Sequence, residues 1–444
     1  MMIRILVTLV LSGIILLGCS EKTNLPQKGE LELKMNDVAE QYVKLVLEIG
    51  IYKPDYVDAY YGPEEWKPVN TSNNQVDSNV IASLTGKVDD LLNKLESLGE
   101  YQATGLETQR YRFLYKQLLS VKGMISIIAG GEFSFDMEAK ILYDAEPPHH
   151  SPEHFQNILD KLEKLLPGNG KLTKRLNDFR NQFIIPEENL DAVFTAALNE
   201  CRNRTSKYIE MPEGESFKIE YVNDKPWGAY NWYKGKCFSV IQVNTDLPVY
   251  IDRAVDLAAH EGYPGHHVYN TLLEEKLTKE KGWKEFSVYP LHSPISFIAE
   301  GSANFGIEMA FPKNSRMKFE KEVLFPLANL DSSKVELYYK VLGLTDKLSY
   351  AGNEAARNFL NGTWDRDETI NYLVDFSLRS KKRAIKYLEF IEKYRSYVIN
   401  YNLGKDIVKD YIERNGGSAE YPERRWQLFE ELLSTPQTPS GLME

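Results

Sequence analysis

The chain has 444 residues and a net charge of −11, from 53 Lys and Arg against 64 Asp and Glu. This acidic balance argues against a nucleic acid partner, because phosphate binding needs a basic surface. The content of 43% hydrophobic and 26% charged residues is typical of a soluble globular protein. The 3 cysteines exclude a zinc ribbon of four thiolates and a disulfide-rich scaffold. Cys201 and Cys237 either form a disulfide or are buried separately.

The N-terminus has the pattern of a bacterial lipoprotein signal. Arg4 precedes an apolar run from Ile5 to Leu17, which is shorter than the roughly 20 residues that span a bilayer. The run ends in the sequence LLGC, which looks like a lipobox. We therefore expect residues 1–18 to be a signal peptide and Cys19 to be lipidated, so that the protein is held on a membrane in the cell envelope, outside the cytoplasm. An ordinary secretory signal and an uncleaved anchor are the alternatives.

Helical periodicity dominates the rest of the chain. Residues 19–34 are polar with Pro and Gly, which indicates a tether, and residues 35–444 are expected to form one mainly α domain. The spacing of apolar residues predicts a helix over 114–128, and Ser151 with Pro152 predicts the N-cap and first turn of another. Further helices are predicted over 36–50, 84–99, 187–208, 318–330, 333–346, 367–395 and 405–414.

One region has the pattern of strands rather than helices. Phe217, Ile219 and Tyr221 alternate with charged residues, and the segment 237–243 is rich in residues that favour strands. We predict a small β patch just before the motif described next. Such a strand either binds the substrate backbone as an added strand or forms a structural hairpin.

The most specific motif is the string HEGYPGHH, which begins at His260 and holds three of the 7 histidines. A His-Glu pair with a nearby His and a distant Glu is how many zinc hydrolases build a metal site and its general base. On a straight helix, His266 would point about 120° away from His260, and His267 would lie roughly 10 Å along the axis. Pro264 and Gly265 therefore predict a bulge or break that brings His266 to the metal, with His267 as the alternative.

A zinc hydrolase also needs a general base and a third metal ligand, and candidates for both lie in and after this motif. Glu261 is expected to be the general base toward water and then the acid toward the leaving amine. A third ligand is needed, and Glu300 on a second helix is the predicted one. Asn304, one turn later, is expected to orient a ligating histidine, and Glu308 either hydrogen-bonds the site or is solvated. One zinc ion would be bound.

The motifs HEGYPGHH and AEGSANFGIE resemble those of the bacterial family known as domain of unknown function 885, often considered related to helical zinc peptidases of the gluzincin type. The segments 56–63 and 401–405 also look like family signatures. The resemblance implies a helical, two-lobed, metallopeptidase-like body whose active-site half spans about 215–444. The ligands and base that it implies are His260, His266, Glu300 and Glu261. Where the family often has an aromatic residue after the Glu, this chain has GSA, so the resemblance does not fix the shape of its pocket.

The resemblance also implies that the segment near 401–405 lies at the site. Tyr401 would then donate to the oxyanion, and Arg395 would bind a substrate carboxylate. The alternative is a core tyrosine and an exposed arginine. His292 is a lesser candidate for lining the cleft. His149, His150 and His154 favour a loop or helix start, and the run 381–383 a solvated helix face.

Taken together, these patterns predict a zinc metallopeptidase of the cell envelope, with exopeptidase action on short peptides as the preferred form. Its partners would be a peptide or other small amide as substrate and the membrane, through Cys19. Two alternatives remain: a hydrolase of another amide, such as an acylated amino acid, and a non-catalytic metal- or ligand-binding lipoprotein.

Overall fold

The computed structural model describes residues 28–69, 75–99, 105–225 and 227–444. The predicted signal peptide and Cys19 lie outside those residues. Helices hold 68% of the described residues and strands 7%, so the prediction of a mainly α fold is confirmed. The two lobes and the single domain stay predictions. No helix among the described residues is both long enough and apolar enough to cross a membrane.

The α-helices run in chain order as α1 (Lys28–Tyr52), α2 (Ser78–Ser97), α3 (Leu106–Ile128), α4 (Phe135–Tyr143), α5 (Pro152–Leu165), α6 (Leu172–Arg180), α7 (Leu190–Thr205), α8 (Asp252–Leu257), α9 (His266–Leu272), α10 (Pro294–Ala310), α11 (Ser315–Phe319), α12 (Phe325–Leu327), α13 (Val335–Thr345), α14 (Tyr350–Leu360), α15 (Arg366–Phe376), α16 (Lys381–Tyr394), α17 (Ile399–Arg414), α18 (Pro422–Ser434) and α19 (Pro439–Met443). The strands are β1 (Val57–Tyr60), β2 (Ser216–Val222), β3 (Ala229–Tyr233), β4 (Phe238–Asn244) and β5 (Val288–Pro290). Within the described part of the chain, three helical segments have the wider π geometry, at Ala258–Gly262, Leu273–Lys279 and Glu320–Leu324.

Side-chain caps and prolines set where several helices begin. Asp365 accepts a hydrogen bond from the backbone of Glu368 while the Glu368 carboxylate bonds back to the backbone of Asp365, a capping box that starts α15. Helix α5 begins at Pro152 as predicted. Ser151 makes no capping bond there, however, and its hydroxyl donates to Glu153 instead. The fixed φ of the proline is therefore the clearer start signal at this helix.

Two sequence predictions of segment boundaries differ from the structure. Helix α1 begins at Lys28, inside the segment 19–34 predicted to be a tether. The single helix predicted over 367–395 is wrong, because α15 ends at Phe376 and α16 begins only at Lys381. Between them Leu378 has a φ of 51°, and the hydroxyl of Ser380 accepts from the backbone of Arg383 to start α16.

The predicted β patch is a three-stranded sheet in the order β2-β4-β3. Strands β2 and β4, the two that the sequence predicts, pair in parallel, with Ile219 opposite Ile241. They do not form a hairpin with each other, because β3 lies between them in the chain and pairs antiparallel to β4. Strand β3 is therefore an edge strand, with β4 as its only partner strand among the described residues.

Two long-range contacts bring distant parts of the chain to one place. Strand β1 pairs antiparallel with β5, just before α10, so that Val57 lies opposite Pro290. Helices α10 and α17 cross at Gly301 and Gly404, where a Cβ added to Gly301 would lie 2.5 Å from the carbonyl carbon of Gly404. Only a residue without a side chain allows the two backbones to approach this closely.

A large hydrophobic core joins α1, α3 and the sheet to the C-terminal helices. A second, smaller cluster lies among α5, α6 and α13 and contains Phe155, Leu176 and Val341. Cys201 and Cys237 are both buried with free thiols, so of the two alternatives the structure shows separate burial.

Candidate metal centre

The helix that carries His260 ends within the HEGYPGHH motif. Helix α8 continues as a π turn to Gly262, the chain is extended at Tyr263, and α9 starts at His266. The backbone N–H of Gly265 donates to the carbonyl of Ala259 across the break. Because proline has no N–H and clashes with the preceding turn, the helix cannot continue through Pro264. The break therefore lies where the sequence predicts it.

The break brings three potential ligand atoms together. The Nε2 atoms of His260 and His266 are 3.1 Å apart. On α10, Glu300 places Oε2 at 3.2 Å from His260 Nε2 and Oε1 at 3.5 Å from His266 Nε2. Ligand atoms of a tetrahedral zinc ion at ordinary bond lengths are separated by about 3.3 Å. The three side chains thus have the spacing that such an ion needs.

Electrostatics within this cluster favour a bound cation. Burial raises the pKa of Glu300, but His266 and His260 lower it more, so it falls well below its usual range. Burial lowers the pKa of His266, but Glu300 raises it to about 9. The Oε2 atom of Glu300 is buried, and although His260 Nε2 lies 3.2 Å away, it accepts no well-aligned hydrogen bond among the described residues. Such an orphaned carboxylate oxygen is costly unless a cation binds it. The residues present therefore fit a divalent metal ion.

Glu261 lies beside these three side chains, and its carboxylate has no bonding partner among the described residues. It is 5% exposed, and within the described residues its carboxylate has no hydrogen bond or ion pair. Its backbone carbonyl accepts a hydrogen bond of 2.7 Å from Asn231 on β3. Burial raises the pKa of Glu261, although the nearby His260 lowers it. A free, partly desolvated carboxylate beside a metal cluster has the properties of a general base.

His267, the alternative ligand, lies outside the cluster. Its Nδ1 is 2.8 Å from the hydroxyl of Ser239 on β4, and its Nε2 is 3.4 Å from Glu215. The hydroxyl of Tyr263 also donates to Glu215. The ring is fully buried, so these contacts give His267 a structural position between the motif and the sheet.

Of the other predicted residues, Tyr401 reaches the cluster and Arg395 does not. The ring of Tyr401 is 6.5 Å from that of His260, and the residue is 37% exposed. Arg395 instead donates from Nε to Glu138 at 2.7 Å. Asn304 donates to the backbone carbonyl of Tyr401 at 3.1 Å, so it supports Tyr401 and not a ligating histidine.

The remaining candidates have structural partners elsewhere. Glu308 is 3.0 Å from Lys405, and the Nδ1 of buried His292 is 2.8 Å from the hydroxyl of Tyr143. The rings of His150 and His154 stack at 4.4 Å. Among the described residues, the group of three or more potential ligands close enough to hold one metal ion is His260, His266 and Glu300.

Sequence reasoning missed three side chains near the cluster. The hydroxyl of Tyr397 donates to Glu300 Oε1 at 2.8 Å. Asp58 on β1 accepts from Tyr230 on β3, and it is close enough to His266 and Glu300 for their charges to shift its pKa. Burial raises that pKa to about 6. Tyr397 could have been found from its four-residue spacing to Tyr401, and Asp58 from its place in the segment 56–63.

Comparisons with known proteins show likeness in fold. No family profile matches the chain, and no curated protein matches it. A candidate lipoprotein from Colwellia psychrerythraea is 13% identical with a TM-score of 0.50, over 85% of this chain and 70% of that one. A candidate lipoprotein of unknown function from Shewanella oneidensis is 11% identical with a TM-score of 0.46, over 82% of this chain and 71% of that one. The resemblance to family 885 therefore rests on the motifs of this chain.

Proposed function

We propose that this chain is a zinc-dependent metallopeptidase of the bacterial cell envelope. The observation that carries the proposal is the convergence of His260, His266 and Glu300, with ligand atoms all within 4.8 Å of one another, beside the unengaged carboxylate of Glu261. A structural zinc site is usually closed by four protein ligands, whereas a catalytic one has three and an open position. Three ligands next to a free base support hydrolysis.

The side chains of the chain would divide the chemistry of amide hydrolysis among them. A zinc ion held by the three ligands would supply Lewis acidity, lowering the pKa of water and polarising a carbonyl. Glu261 would take a proton from the attacking water and deliver it to the leaving amine. Tyr401 is a phenol that keeps its proton at neutral pH, and it would donate a hydrogen bond to the developing oxyanion.

The edge strand β3 supports a peptide as the substrate. It lies against the motif, since Asn231 contacts the backbone of Glu261, and it has no partner strand on its second edge among the described residues. An extended peptide can add to such an edge through its backbone, which gives binding without regard to side chains.

The envelope location is proposed on the N-terminal LLGC sequence and agrees with the description of the Colwellia psychrerythraea protein. Radiolabelled fatty acid supplied to cells that express the full chain should be incorporated into the protein. Cys19→Ser should abolish that incorporation. Labelling of the variant at the same level would contradict lipidation at Cys19.

The catalytic proposal is tested by metal analysis and by a peptide library read by mass spectrometry. The purified chain should hold about one zinc, lost in His260→Ala and in Glu300→Ala. Glu261→Gln should keep the zinc while turnover falls by about 100-fold or more. Glu308→Gln is the matched control, because that glutamate is on the same helix as Glu300 but pairs with Lys405.

Three results would contradict the proposal or favour one of its alternatives. A chain without any transition metal would overturn the proposal. Zinc without cleavage of any peptide, together with cleavage of acylated amino acids, would favour the other-amide hydrolase. Zinc without either activity would favour a binding lipoprotein.

A further inference from the structure

Asp58 is a partly exposed carboxylate at the candidate site that has no cationic partner. Its oxygen accepts a hydrogen bond from the hydroxyl of Tyr230. Within the described residues it forms no ion pair. Lys234 is near enough to influence it, but the Lys234 ammonium lies over the ring of Trp232, 5.2 Å from its centroid. A half-buried carboxylate that has no positively charged partner is stabilised when a cation binds to it.

The residues around Asp58 show that its carboxylate lies beside the cluster of His260, His266 and Glu300. Tyr230, whose hydroxyl donates to Asp58, is followed on the same strand by Asn231, whose side chain donates to the backbone carbonyl of Glu261. Asp58 is also close enough to His266 and Glu300 for their charges to affect its pKa. Tyr230 comes from the edge strand β3. A ligand that occupies the cluster and extends along β3 therefore meets the Asp58 carboxylate.

With a divalent ion bound, the acidic side chains at the site would exceed the positive charge of the ion by one. A divalent ion would bring two positive charges, whereas Asp58, Glu261 and Glu300 bring three negative ones. Arg395 does not supply the compensating charge, because its guanidinium is paired with Glu138. A ligand with an ammonium group would balance the site, and a ligand with a carboxylate would add to the excess.

We propose that Asp58, oriented by Tyr230, binds the free α-ammonium group of a peptide, which makes the site an aminopeptidase. The inference deepens the proposed function and rests on it for the catalytic step. The sequence predicts that Arg395 binds the terminal carboxylate of the substrate, whereas this proposal has Asp58 bind the ammonium group at the other end of the peptide. In the reaction, the oxygen of water bonds to the first carbonyl carbon and the peptide C–N bond breaks. One water proton passes through Glu261 to the released amine, giving an amino acid and a shortened peptide.

The first experiment compares four forms of one peptide, free or acetylated at the N-terminus and free or amidated at the C-terminus. The intact protein should cleave the first peptide bond of both forms with a free amine, and neither acetylated form. Asp58→Asn should raise KM for the free-amine forms by about 10-fold or more, with zinc content unchanged. Asp55→Asn is the control, because Asp55 is an exposed residue three positions before Asp58 that pairs with Lys393 at 3.6 Å.

The second experiment measures binding without turnover. Calorimetry on zinc-loaded Glu261→Gln protein should show tighter binding of the free-amine peptide than of its acetylated twin, and adding Asp58→Asn should remove the difference. Equal binding of the two peptides, or a difference that survives Asp58→Asn, would overturn the inference even if peptides are hydrolysed. Conversely, discrimination without hydrolysis by the intact protein would leave the ammonium site standing and refute the catalytic proposal.

Discussion

A Cβ atom added to Gly265 would lie 1.9 Å from the carbonyl oxygen of His260. The same atom would lie 2.5 Å from the carbonyl oxygen of Ala259. Both neighbours are backbone atoms of the π turn, which cannot move without displacing the His260 side chain. The close approach is what lets the chain reverse within a few residues and bring His266 back to His260.

Replacing Gly265 by alanine should therefore damage both stability and metal binding. We expect Gly265→Ala to lower the free energy of unfolding by about 3 kcal/mol, because backbone must shift to admit the methyl group. Zinc affinity should fall by at least about tenfold, because the two histidines separate. Denaturant unfolding and zinc calorimetry measure the two effects. Gly86→Ala is the control, since nothing lies within 4 Å of a Cβ there; equal behaviour of the two variants would contradict the prediction.

The two adjacent histidines should respond differently to removal. His266→Ala should lose the zinc ion, since its Nε2 lies 3.1 Å from that of His260. His267→Ala should keep one zinc per chain but lose about 2 kcal/mol of stability, because buried Ser239 is left without its partner and Glu215 loses one of its contacts. Elemental analysis together with chemical unfolding separates the two outcomes. Loss of zinc in His267→Ala with retention in His266→Ala would reverse the assignment.

Tyr397 and Tyr401 should separate metal binding from turnover. Tyr397→Phe removes the hydroxyl that lies 2.8 Å from Glu300, and zinc affinity should fall by about 10- to 100-fold. Tyr401→Phe should leave zinc affinity unchanged while kcat falls by about 100-fold, because an oxyanion donor acts only in the transition state. Zinc titration and kinetics on a cleaved peptide provide the readouts. A Tyr401→Phe enzyme with unaltered kcat would remove Tyr401 from the mechanism.

His292 should make the fold sensitive to acid. Burial, together with the charges of Lys53 and Arg395, lowers its pKa from 6.5 to about 3. The unfolded chain therefore binds the proton more tightly than the folded one between these values. The stability that neutral His292 contributes is present above pH 6.5 and is lost as the pH falls toward 3.

At pH 5 this loss should amount to about 2 kcal/mol. His292→Gln cannot take up the proton and still offers a polar partner to Tyr143, so its stability should fall less between neutral pH and pH 5. Denaturant unfolding at a series of pH values measures the slopes. Parallel slopes for the two proteins would show that His292 does not titrate in this range.

The sequence predicts much of this site because the decisive signals are local. Pro264 ends a helix through its own covalent structure, and the break that it predicts favours His266 as the partner of His260. The structure decides against the alternative, His267, which contacts Ser239 instead. The start of α5 at Pro152 has the same local origin. The sequence does not predict the break between α15 and α16, because there Leu378 adopts a left-handed conformation. Leucine rarely adopts this conformation, so the residue type gives no indication of it.

Tertiary packing alone decided which distant residues complete the site. The pairing of β1 with β5 brings Asp58 near Glu300. The packing of α10 against α17 at Gly301 and Gly404 brings Tyr397 to Glu300, and the ion pair with Glu138 holds Arg395 away from the cluster. None of these contacts follows from spacing along the chain, because strand pairing and helix crossing depend on the packing of the whole core. The helical character of the chain and the break at Pro264 can thus be read from residue types and their periods, whereas the charge that faces a bound ligand is determined by the fold.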